Sequence, residues 1–245
     1  MMSPSIPSIH ALMTRAPVIP VLALESPDTA PLLARALVDG GLPVIEVTLR
    51  TPAALPAVEA IARAVPEALV GVGTLTRAAE AAAARDAGAR FLVSPGLTDA
   101  LIGAALNTDI PLLPGVSTAS ELMRAGEAGF DHLKFFPAES SGGVTALKAL
   151  AGPFPAVRFC PTGGISPGNY LEYLGLPNVL CVGGSWLAPA DAVEAGDWAR
   201  IRALAAAVSG RRSAGGPGKG PGDDVERWYS VAGEEDPGSA DEDLR

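Results

Sequence analysis

Metal ligands are scarce in this sequence. It has two histidines, His10 and His132, and two cysteines, Cys160 and Cys181. None of them recurs at the short spacing of a zinc or haem motif, so no metal site is expected. Both cysteines fall in apolar, strand-like runs, where a buried free thiol is the ordinary state. Long hydrophobic runs are missing too: no window approaches the ~18 apolar residues that a membrane span needs. Residues 1–17 lack the basic start and apolar core of a secretory signal. These absences make a cytoplasmic protein with no membrane partner the expectation. Positive charge is also short, with 18 Lys and Arg against 27 Asp and Glu for a net charge of -9. A surface of that sign repels a polyanion and argues against nucleic acid, although a small anionic substrate responds only to local groups.

Lysine is the rarest charge of all. There are three, Lys134, Lys148 and Lys219, against fifteen arginines. Where a cation was merely wanted, this chain used arginine. Lys134 lies within His132-Leu133-Lys134-Phe135-Phe136-Pro137-Ala138-Glu139, an apolar and aromatic run of strand character that ends at a proline. A lysine at a strand end often reaches out to water. What it can do that arginine cannot is lose its proton and attack a carbonyl.

The chain around it alternates regularly. Strands are read at 18–24, 44–50, 69–74, 91–95, 111–116, 132–137, 157–162 and 179–184. Helices are read between them at 27–39, 53–65, 77–87, 98–106, 118–128, 143–151 and 167–175, with a last one at 197–208. The first helix is opened by Ser26-Pro27-Asp28, a cap followed by proline. Strict βα alternation requires a parallel sheet, and eight units in this length fit a single α/β domain, a (β/α)8 TIM barrel, over residues 17–209. No dinucleotide fingerprint follows the first strand, which speaks against an open doubly wound sheet. Residues 1–16 form a leader that can make a short helix through Ile9, Leu12 and Met13. Residues 210–245 hold nine acidic and five basic residues among Gly, Pro and Ser, the composition of a disordered acidic tail.

In a barrel strand alternate side chains face the lumen. The second strand then turns Val44, Glu46, Thr48 and Arg50 inward and Ile45, Val47 and Leu49 outward. The sixth turns His132, Lys134 and Phe136 inward. Thr74 and Thr162 end the third and seventh strands. A carboxylate, a guanidinium and an ammonium therefore converge at the carboxyl end of the strands, where barrel enzymes carry their chemistry. The competing reading is a structural ion-pair cluster, but a buried ion pair is a poor way to stabilise a fold. His132 reads as a satisfied core histidine and Phe136 as a packing residue that keeps water from Lys134. Glycine pairs follow the last two strands, at Gly163-Gly164 and at Gly183-Gly184 before Ser185. One such pair is usually a turn; both at these positions suggest backbone N–H groups exposed to a phosphate.

Seven ordered motifs resemble the 2-keto-3-deoxy-6-phosphogluconate (KDPG) / 4-hydroxy-2-oxoglutarate aldolase family, over about residues 17–190. They run from Ile45-Glu46-Val47-Thr48-Leu49-Arg50-Thr51 through Gly71-Val72-Gly73-Thr74, Ser94-Pro95-Gly96 and Pro114-Gly115-Val116-Ser117-Thr118. They continue through Lys134-Phe135-Phe136-Pro137-Ala138-Glu139 and Pro161-Thr162-Gly163-Gly164-Ile165 to Gly183-Gly184-Ser185-Trp186. The resemblance implies a metal-independent class I aldolase with Lys134 as the imine-forming lysine and Glu46 as the proton carrier. Arg50 and Thr74 would hold the substrate carboxylate, and Pro95, Phe136 and Thr162 would line the pocket. Gly163, Gly164, Gly184 and Ser185 would hold the phosphate. It also implies a homotrimer.

The chemistry asks for the same residue types. Breaking a carbon–carbon bond next to a hydroxyl leaves an electron pair, and a protonated imine accepts it without metal or cofactor. The expected substrate is a phosphorylated 2-keto acid, KDPG, cleaved to pyruvate and glyceraldehyde 3-phosphate. Two alternatives stay open at this point: cleavage mainly of 4-hydroxy-2-oxoglutarate or an unphosphorylated sugar acid, and a non-catalytic barrel that binds phosphorylated metabolites.

Overall fold

Short β-branched runs bounded by proline and glycine alternate with alanine-rich amphipathic stretches, and they fold as alternating strands and helices. The computed structural model describes residues 7–211. The strands are β1 (Val18–Leu22), β2 (Val44–Thr48), β3 (Leu69–Gly73), β4 (Leu92–Val93), β5 (Leu112–Leu113), β6 (Gly115–Val116), β7 (His132–Phe135), β8 (Arg158–Pro161) and β9 (Val182–Gly184). The helices are α1 (Ile9–Met13), α2 (Ala30–Asp39), α3 (Ala54–Ala64), α4 (Ala79–Asp86), α5 (Asp99–Thr108), α6 (Ala119–Glu127), α7 (Gly143–Ala151), α8 (Tyr170–Leu174), α9 (Ala190–Glu194) and α10 (Trp198–Ser209).

All strand pairings are parallel. One curled sheet runs β5-β4-β3-β2-β1-β9 and a second runs β6-β7-β8. The strand read at 111–116 is thus split into β5 and β6 by Pro114, which has no N–H for a ladder. The Pro114 carbonyl still accepts from Lys134 N at 2.9 Å, so the second sheet begins where the first ends. At the other edge, isolated parallel bridges join Phe159 to Val179 and Thr162 to Gly183. The last strand is regular only from Val182, three residues later than its sequence run suggests.

Two apolar clusters follow the predicted parity. Ile45 and Val47 lie with the helices in the larger one. Val44 lies in an inner cluster with Ile19, Phe91, Val93, Leu113 and Cys160. The leader belongs to that inner cluster, since Leu12 and Met13 of α1 are 2% and 1% exposed and pack into it. Burying each such side chain is worth about 1.5–3 kcal/mol. α1 therefore closes the amino end of the strands, where His10 Nδ1 lies 3.0 Å from Nε2 of His132 at the start of β7.

Helix α2 starts at Ala30, after Thr29, and not at Pro27 behind a Ser26 cap. The Ser26 hydroxyl closes a local turn by accepting from Asp28 N at 3.2 Å, and Pro31 occupies the first turn of the helix. By contrast, α6 has a complete capping box between Thr118 and Glu121, and Thr98 caps α5. The five-residue α9 was not anticipated, because one turn is too short for a periodic signal. The acidic tail read from residue 210 lies, beyond residue 211, outside the described residues. Among the described residues no helix is long and apolar enough to cross a membrane.

Candidate active site

β2 and β7 bring together the two residues read from the sequence as candidate proton carrier and imine-forming lysine. Glu46 and Lys134 are 3% and 5% exposed, and Lys134 Nζ lies 3.4 Å from Glu46 Oε1. The neighbouring strand makes room for this carboxylate: a Cβ added at Gly73 would stand 2.0 Å from Glu46 Oε1. The Phe136 ring covers the ammonium, with its centroid 5.0 Å from Nζ. A contact of 3.4 Å between two charges withdrawn from water offsets little of their desolvation, so the pair is a poor structural device. It is well placed to move a proton.

Arg50 follows β2 at the carboxyl end of the strands. Its Nε donates to Thr48 Oγ1 at 3.1 Å, and that hydroxyl donates in turn to the Leu22 carbonyl at 2.8 Å. Thr48 thereby fixes the base of the Arg50 side chain and leaves the exposed guanidinium tip free to meet an anion. Thr74 sits just past β3 with φ 60°, a left-handed conformation uncommon for threonine. Such outliers concentrate at functional sites.

The Gly163-Gly164 turn has two successive positive φ values, 99° and 78°, which glycine alone adopts without strain. Its carbonyls are tied back into the protein: Glu139 N donates to Gly163 O at 3.1 Å and Asn169 Nδ2 to Gly164 O at 3.0 Å. Asn169 also accepts from Ser166 N at 2.8 Å. With the carbonyls engaged, the N–H groups of Gly163 and Gly164 find no backbone acceptor among the described residues. Two adjacent N–H groups are thereby left open to an acceptor from outside the backbone.

These groups line one cavity of about 280 Å³, and it contains every residue that the family resemblance assigned to the site: Glu46, Arg50, Thr74, Pro95, Lys134, Phe136, Thr162, Gly163, Gly164, Gly184 and Ser185. Val21, Thr48, Ile165 and Gly183 complete the wall. Thr48 was legible as an inward residue and Gly183 as half of the Gly183-Gly184 pair, whereas Val21 and Ile165 are apolar and carry no chemical signature. His132 is elsewhere, at the amino end, where its Nδ1 lies 2.6 Å from Asp131 Oδ1 and its Nε2 meets His10. It is the satisfied core histidine of the sequence reading. Among the described residues no group of three or more His, Cys, Asp or Glu is placed to hold a metal ion. Cys160 and Cys181 are free and buried, and burial first, then Cys160 beside it, raises the Cys181 thiol well above its ordinary value.

Comparison with known proteins shows the family. The family described as KDPG and KHG aldolase matches residues 9–204. The 2-dehydro-3-deoxy-phosphogluconate aldolase of Pseudoalteromonas atlantica is 58% identical over 198 residues, covering 81% of this chain and 92% of that protein. The KHG/KDPG aldolase of Escherichia coli is 56% identical over 198 residues, covering 81% of this chain and 93% of its own. Among solved structures, the KDPG aldolase of Legionella pneumophila superposes with a TM-score of 0.79 at 48% identity, covering 81% of this chain and 97% of that one. That crystal holds pyruvate as a covalent carbinolamine intermediate. The Zymomonas mobilis enzyme, solved with 3-phosphoglycerate, gives a TM-score of 0.81 at 47% identity and covers 87% of this chain and 100% of its own.

Proposed function

Since the chain belongs to the KDPG and KHG aldolase family and is a metal-independent Schiff-base aldolase, we propose that it cleaves KDPG to pyruvate and glyceraldehyde 3-phosphate through an imine on Lys134. The observation that carries this reading is the buried Lys134–Glu46 pair, 3.4 Å apart, in the cavity that also holds Arg50 and both glycine turns.

Arg50 and Thr74 hold the substrate carboxylate and set its keto carbon beside Lys134. The amine of Lys134 adds to that carbon, and the carbinolamine loses water to give a protonated imine. Glu46 then takes the proton of the C4 hydroxyl. The C3–C4 bond breaks, its electron pair passes into the imine, and the aldehyde leaves. Glu46 returns the proton to C3 of the enamine, and water releases pyruvate and the free lysine. Pro95, Phe136 and Thr162 wall the reacting carbons. Gly163, Gly164, Gly184 and Ser185 hold the phosphate, far from the bond that breaks, so their binding energy serves orientation.

The fold reading that goes with this mechanism is one closed ring of eight parallel strands, with β5 and β6 as a single strand split at Pro114. The bridges from Phe159 to Val179 and from Thr162 to Gly183 support it. A homotrimer and a cytoplasmic setting belong to the same proposal and rest on the family resemblance.

A second substrate, 4-hydroxy-2-oxoglutarate, is favoured by the name of the Escherichia coli relative, which couples the two. Comparing kcat/KM for the two substrates in the wild type and in Ser185→Ala separates the readings. Charge-assisted hydrogen bonds of about 1.5–3 kcal/mol each predict a preference of at least tenfold for KDPG, reduced in the variant. Equal values in the wild type would make the unphosphorylated acid the main substrate. Ser185 is a better position to alter than Gly184, where an added Cβ would fall 1.8 Å from the Trp186 ring and displace it.

A further inference from the structure

α8 touches both glycine turns and contributes nothing to the cavity wall. Asn169, just before it, binds Gly164 O and Ser166 N. Tyr170 lies against Trp186, ring centroids 5.8 Å apart, and so backs the turn at Gly184. Tyr173, 1% exposed, donates its hydroxyl to Glu139 Oε1.

Glu139 is the awkward member of this group. Its backbone N–H holds Gly163 O at 3.1 Å. Its side chain lies over Gly164, so that a Cβ there would meet Glu139 Cγ at 2.4 Å. A carboxylate thus stands beside the turn whose N–H groups are read as a phosphate site. Two like charges at such range repel. The Tyr173 hydroxyl draws the carboxylate oxygen toward α8 and the start of α7, where Gly143 lies close to both groups: its Cβ position is 3.1 Å from the Tyr173 hydroxyl and 3.5 Å from Glu139 Oε1. Burial first, then the bond to Glu139, raises the Tyr173 hydroxyl above its usual range and keeps it a donor.

We propose that Tyr173 is a positioning residue for substrate selection: by tethering Glu139 it keeps a carboxylate out of the phosphate site, and so sets the preference for a phosphorylated over an unphosphorylated 2-keto acid. This rests on the reading of the glycine turns as a phosphate site. Neither residue touches the reacting carbons, so the effect belongs in KM and not in kcat.

The test is steady-state kinetics on KDPG and on 4-hydroxy-2-oxoglutarate, with inorganic phosphate as a competitive inhibitor, for wild type, Tyr173→Phe, Glu139→Gln and the double variant. Tyr173→Phe should raise KM for KDPG and Ki for phosphate on the order of tenfold, as for an added like charge at a partly exposed site. Its kcat and its parameters on 4-hydroxy-2-oxoglutarate should change by less than about twofold, within the energy of one weak contact. The double variant should recover wild-type KM and Ki, because glutamine keeps the shape of Glu139 and removes its charge. An equal loss on both substrates, or no recovery in the double variant, overturns the proposal while leaving the phosphate reading intact. A wild type that shows neither preference for KDPG nor inhibition by phosphate removes both. If Tyr173→Phe does not fold, Glu139→Gln alone decides: an unchanged or lower KM for KDPG supports the tether, and a raised one contradicts it.

Discussion

Lys134 and Glu46 are individually unfavourable for the fold and make sense only together. Each is almost wholly buried, and their 3.4 Å contact is longer than a strong charge-assisted hydrogen bond. Replacing Glu46 by glutamine keeps the volume and removes the proposed proton carrier. Glu46→Gln should therefore still form the pyruvate adduct, while cleavage falls on the order of 10²–10⁴-fold, the usual worth of a positioned acid–base group. Intact-mass detection of the adduct beside a coupled assay for glyceraldehyde 3-phosphate measures both. Cleavage near the wild-type rate would reduce Glu46 to a counter-ion. Both residues were legible in the sequence because period-two parity in a strand predicts which way each side chain points, and chemistry does not depend on the exact ends of the strand. The Tyr173–Glu139 contact was not legible: it joins residues 34 apart through the approach of α8 to the turn after β7, and no local pattern encodes that approach.

Among the elements, α1 shows the opposite limit of sequence reading. Its apolar stripe of Ile9, Leu12 and Met13 was visible, but a five-residue stripe does not say what it covers. The structure supplies the answer in the inner cluster and in the contact between His10 and His132. Strand interiors were read closely, whereas the break at Pro114 and the late start of β9 depend on pairing with neighbours and could not be. The docking of α1 also carries a pH dependence. Burial first, then the neighbouring His132 and Arg158, lowers the His10 pKa below 6.5, against the opposing pull of Asp131. The hydrogen bond from His132 lowers Asp131 below its ordinary 3.8 despite its partial burial. A histidine whose folded pKa is depressed binds fewer protons than in the unfolded chain, so stability is lost as pH falls below about 6.5. The Asp131 contribution is present above 3.8 and is lost only at more acid pH. Thermal melting should thus show Tm falling between pH 7 and pH 5.5, with a smaller fall in His10→Gln. An identical slope in the variant would show that another group titrates.

Across the whole molecule the two ends of the strands are divided between stability and chemistry. The amino end is plugged by α1, and the carboxyl end carries Arg50, Thr74 and both glycine turns. A net charge of -9 leaves an anionic substrate to be drawn by local groups alone, and this chain has only three lysines to offer. That scarcity makes the central claim directly measurable. Pyruvate is added with borohydride, which traps an imine by reduction, and the product is analysed by intact mass and peptide mapping. Among the described residues, Lys134 is the lysine that stands buried beside a carboxylate in the cavity, so one reduced adduct on Lys134 is the predicted result. Labelling confined to Lys148 or Lys219, or no labelling at all, would contradict the account.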